Sequence, residues 1–76
     1  MFEKMKLKKA IERSKERITE IEQRRTRSQA ALVEAILQQK DPDDKDVDYF
    51  NQFIAQIEEE RSILHRLMKQ LEDLEK

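Results

Sequence analysis

Seventy-six residues, 43% of them charged and 37% hydrophobic, leave room for one thin domain. With no cysteine, no glycine, one proline, one histidine and a net charge of −1, the chain offers neither disulfides nor thiolate metal centres. No run approaches the ~18 consecutive apolar residues of a membrane span.

The opening stretch, MFEKMKLKKAIERSK, lacks the apolar core and small-residue cleavage site of a secretory signal. Together with the absence of cysteine, this leads to an expectation of a cytoplasmic protein. High charge is also a mark of disorder, but disordered chains lack organised apolar periodicity. This chain has it, and good helix formers (alanine, leucine, glutamate, lysine, arginine) predominate.

The first predicted helix covers about residues 3–39. Leu7, Ile11, Ser14, Ile18, Ile21, Arg25, Ser28, Leu32 and Ala35 fall on alternating a and d positions of a heptad repeat. The apolar stripe lapses over EQRRTRSQ, yet nothing there breaks a helix, so the helix is expected to run through. From Ala30 to Leu37 only Glu34 is polar.

A turn is predicted over about 40–46. Pro42 disfavours a helical residue before it, and Lys40 suits the carbonyl end of a helix. Asp41 is the expected N-cap of the following helix, with Pro42 in the first helical position and Asp46 as the alternative cap. The aspartate-rich DPDDKD fits a calcium loop poorly. Lys45 falls at the fifth position, Asp46 where glycine is required, and Gln52 in place of the closing glutamate. Helix capping accounts for the aspartates better.

The second predicted helix covers about 47–74, with Phe50, Phe53, Ile57, Glu60, Leu64, Leu67, Leu71 and Leu74 on its a and d positions. Folding the chain around Pro42 so that paired numbers add to 85 matches an a with a d in every layer. Arg25 then meets Glu60, a register pair that disfavours slippage because an uncompensated buried charge costs several kcal/mol. The flanking e positions pair Lys8 with Glu75, Glu22 with Arg61 and Ile36 with Val47. The fold class is therefore all-α: a long antiparallel two-helix hairpin, coiled-coil-like, spanning 1–76 as a single domain. Met1, Phe2 and Met5 have no residue opposite them in this register.

Three surfaces remain for function. Val33, Ile36, Leu37, Tyr49 and Ile54 are apolar and lie outside the seam, which points to an oligomer or partner interface. A core this small rarely supplies more than ~3–5 kcal/mol, so a homo-oligomer, with a dimer favoured and a four-helix bundle as its form, is the expected remedy. The second surface is basic. Residues 1–29 carry ten Lys/Arg against five Glu, while residues 30–76 carry six against twelve acidic groups. Arg24, Arg27, Arg17 and Lys9 are candidate nucleic-acid contacts on that face, although no aromatic residue is interleaved for base stacking, and the acidic second helix can neutralise them instead. The third is the N-terminal overhang. His65 falls on the outer surface and one histidine makes no conventional zinc site.

No catalytic, cofactor-binding or metal-ligating constellation is found, so neither enzyme activity nor a cofactor is expected. In outline the pattern resembles the small helical hairpins that dimerise into four-helix bundles, among them plasmid-encoded RNA-binding regulators, with no residue motif in common. The expectation is a self-associating protein–protein interaction, adaptor or regulatory module; the alternative is nucleic-acid binding through the first helix.

Overall fold

A computed structural model describes residues 2–76; the expectation for Met1 lies outside them. Two helices, α1 (Phe2–Leu37) and α2 (Asp44–Glu75), pack against each other as a hairpin measuring 57 × 16 × 14 Å. Among the described residues, no helix is long and apolar enough to cross a membrane. α1 runs unbroken through the polar gap, where the hydroxyls of Thr19 and Thr26 donate back to the carbonyls of Lys15 and Glu22. Those bonds satisfy residues that otherwise compete with the helical backbone.

The helix stop differs in detail from the expectation. α1 ends at Leu37, and Gln39 takes the left-handed conformation with φ of 59°. The Lys40 amide donates to the Ala35 carbonyl at 2.9 Å and the Gln39 amide to Ile36 at 2.9 Å. This double closure is a Schellman motif, which satisfies carbonyls that the helix end would otherwise leave orphaned. Glycine usually fills its left-handed position; here glutamine does, in a chain that has no glycine.

Asp43, not Asp41 or Asp46, caps α2. Its backbone is extended (φ −64°, ψ 137°) and its carboxylate accepts the Lys45 amide at 3.2 Å. Pro42 therefore precedes the cap rather than following it. Asp44 and Asp46 occupy the first turn, where carboxylates face the positive end of the helix dipole.

Every a and d residue of α1 from Leu7 to Ala35 is buried or half-buried, as is each one of α2 from Phe50 to Leu71. The seam is therefore the one the heptads define. Burial is complete at few points: Ile11, Ile57 and Ser14, the last with no exposure at all. Two helices side by side cover one stripe each, and the remaining surface stays open.

The register is not the one the charged layer implies. Glu60 accepts from Arg17 Nε at 3.1 Å and from the Ser14 hydroxyl at 3.4 Å, and Arg25 is not its partner. The pairs Ser14 with Glu60, Arg17 with Glu60 and Lys4 with Glu75 add to 74, 77 and 79, near 78, whereas Glu22 with Arg61 adds to 83, the flanking sum of the pairing at 85. In a pairing at 85, Ser14 would lie eleven residues, about 16 Å, along the helix from the site opposite Glu60. No glutamate side chain reaches that far. The Ser14 contact excludes the pairing at 85; a displacement by one heptad fits it, preserves the match of a with d and, by count, sets Arg25 across from Phe53. Nε of Arg25 is buried without a hydrogen-bond partner.

The displacement follows from the turn. An early stop at Leu37 and a cap at Asp43 leave a six-residue connection, which brings the start of α2 closer to the end of α1 than Pro42 alone implies. Of the expected flanking pairs, Glu22 with Arg61 is present at 3.0 Å, whereas Glu75 meets Lys4 at 3.7 Å in place of Lys8.

Candidate functional site: the apolar turn-end face

The five candidate interface residues do not form one patch. Successive helix residues are separated by about 100°, so Tyr49 and Ile54 lie roughly 140° apart around α2, on opposite flanks of the seam. Ile54 shares its flank with Arg61, and Ile36 shares its flank with Glu22. The Glu22–Arg61 ion pair shows that these two flanks are the same side of the hairpin. Ile36 and Ile54 therefore belong together, with Val33 one helical step outward from Ile36.

On this side Ile36 is 63% exposed and Val33 is exposed, while Ile54 is half-buried against the seam rather than outside it. Leu37, 78% exposed, points from the back of α1 and shares a shallow depression with Val33 and Ala30. Tyr49 is exposed on the other flank, its ring stacked on Phe53 at a centroid distance of 6.4 Å. The heptad letters carry this division: e for Ile36 and Ile54, g for Tyr49.

Apolar exposure recurs at the far end. Phe2, Met5, Met68 and Leu74 are all exposed there, and a groove on the same side as Ile36 is floored by Ile11, Met68 and Leu71 and rimmed by Lys15, His65 and Glu72. The Glu22–Arg61 pair lies between the two apolar ends.

The basic face is partly engaged. Arg24 pairs with Glu20 at 2.8 Å within α1, and Arg17 is held by Glu60. Arg27 and Lys9 are exposed and make no ion pair among the described residues. No group of three His, Cys, Asp or Glu side chains stands ready for a metal ion among the described residues. Compared with family models, curated proteins and solved structures, the chain has no significant match.

Proposed function

We propose that the protein is a non-enzymatic, self-associating interaction module whose turn-end face, centred on Ile36, Val33 and Ile54, packs against a second copy to complete a four-helix bundle. The observation that carries this reading is surface area. The hairpin exposes 6437 Å², against about 4,900 Å² for a compact monomer of its 9.2 kDa. The difference, about 1,500 Å², exceeds the ~800 Å² that a standard dimer interface removes from each partner. An apolar side wall running from Ile36 to Met68, with ions between, is the natural place to remove it.

Sedimentation equilibrium over a range of concentrations tests the reading. A dimer is expected, and Ile36→Glu should dissociate it while leaving the helical circular dichroism unchanged. A folded monomer at all concentrations, or a mass unaffected by Ile36→Glu, overturns the proposed face. Nucleic-acid binding is the weaker reading, because Arg17 and Arg24 are already paired with glutamates. It requires affinity that falls steeply as salt rises.

A further inference from the structure

A heptad seam repeats itself every seven residues. Moving one helix by seven returns each a to a d, so pairing at 85 satisfies the same pattern as the observed pairing near 78. Several observations show that the observed register leaves demands unmet that the other would meet. Arg25 Nε is buried with no partner, and the pairing at 85 brings Arg25 opposite Glu60. The same change sets Ile18 against Leu67 instead of Glu60. Gln39 is held at φ 59°, a conformation that disfavours residues with a Cβ. A turn placed about three or four residues later would let α1 continue toward Pro42 and return Gln39 to the helix. Asp46 then stands three residues beyond Asp43 as a ready N-cap.

The observed register has its own compensations. Glu60 gains Arg17 and Ser14, α2 keeps its first turn, and residues 2–8 keep a helix opposite them. Each register thus satisfies what the other leaves unsatisfied.

We propose that the hairpin is a two-register device in which α2 slides along α1 by one heptad, about 10 Å. The register near 78 presents Ile36; the register at 85 brings Val47 alongside Ile36 and covers it. The covering of an interface rests on the self-association reading above, whereas the slide itself does not.

The absence of native cysteine makes the slide directly measurable. Three double variants share the same geometry of substitution: Ile11→Cys with Leu67→Cys reports 78, Ile18→Cys with Leu67→Cys reports 85, and Ile18→Cys with Leu74→Cys, a further heptad away, reports chance closure. A disulfide needs Cα atoms within about 7 Å, less than one heptad of displacement, so each pair closes in its own register only. In a glutathione buffer the first two pairs should each close with an effective concentration about tenfold or more above the third. If Ile18 and Leu67 close no better than the control, or if neither pair does, the second register does not exist.

Circular dichroism establishes that each variant keeps its helices. Should one lose them, spin labels at the exposed Gln23 and Lys69, diluted into unlabelled chain, give a second measurement. Two distance populations support the slide, and a single one overturns it. Arg25→Leu should lower closure of the Ile18–Leu67 pair about tenfold; undiminished closure would overturn the role given to Arg25. Sedimentation of the two locked hairpins then separates the claims. Association of the 11–67 form alone supports the coupling, and equal association of both overturns the coupling while leaving the slide in place.

Discussion

Ile57, seated in the seam at the waist of the hairpin, is 4% exposed, whereas Ile36 at the turn end is 63% exposed. The two side chains are the same; only their angle to the partner helix differs. Ile57 occupies an a position and faces α1, while Ile36 sits one step round on the flank, where two helices have nothing left to offer. At the waist the apolar side chains fold the chain. At the turn end the same chemistry remains available to something outside it. Burial in a two-helix hairpin is thus decided by heptad position more than by residue type, and every flank apolar residue becomes a question about partners.

The most severe way to break the comparison is at the waist. Ile57→Ala should cost about 2–5 kcal/mol, since it removes a buried side chain from a seam too thin to collapse around the loss. Urea unfolding followed by circular dichroism checks it. Leu64→Ala, at a half-buried layer, should cost less. Equal losses at the two positions would mean that burial does not rank the layers.

Arg25 sharpens the comparison from the opposite direction. It occupies an a position like Ile57, yet it brings a buried Nε without a partner. Arg25→Leu should therefore stabilise the hairpin, by about 1–3 kcal/mol, because the unsatisfied donor is removed and an apolar neighbour of Phe53 takes its place. A rise in the urea midpoint with an unchanged slope is the expected result. A fall would mean that Arg25 is satisfied in solution, and the register near 78 would lose one of its main marks.

That same residue shows where sequence reasoning stopped. Helix existence was legible from composition and from heptads that run without a break through both segments. The seam was legible too, since the residues assigned to it from Leu7 to Leu71 are the ones the structure covers. The register was not, because a pattern with a period of seven is blind to shifts of seven. Only the charged layer and the turn can lift that degeneracy, and they disagree: Arg25 and Glu60 favour 85, while the turn closes early. The turn was hidden because its stop has no glycine to mark it and its start has five aspartates between 41 and 48 from which to choose a cap. The split of the candidate interface between two flanks was open to view in the heptad letters of Ile36, Ile54 and Tyr49.

The cap can be tested against its neighbours. Asp43→Ala should cost about 1 kcal/mol, the usual loss when a capping carboxylate is removed from a helix amide. Asp41→Ala, outside the helix, should change stability by less than about 0.5 kcal/mol. Thermal unfolding of the two variants side by side decides the matter. The larger loss at Asp41 would place the start of α2 where the sequence alone first suggested.

The smallest effect expected belongs to Gln39, and it bears most directly on the turn end. A residue with a Cβ held at φ 59° is strained relative to glycine, which occupies that region without the clash. Gln39→Gly should therefore stabilise the hairpin by up to about 1 kcal/mol, less the added freedom that glycine brings to the unfolded chain. The sign carries the information. A gain means that α1 ends at Leu37 in solution through the Lys40-to-Ala35 closure, and that the turn end is built as described. A loss of similar size means that Gln39 is helical, since glycine within a helix costs about that much. The turn would then lie nearer Pro42, and the pairing at 85 would be the register the chain prefers.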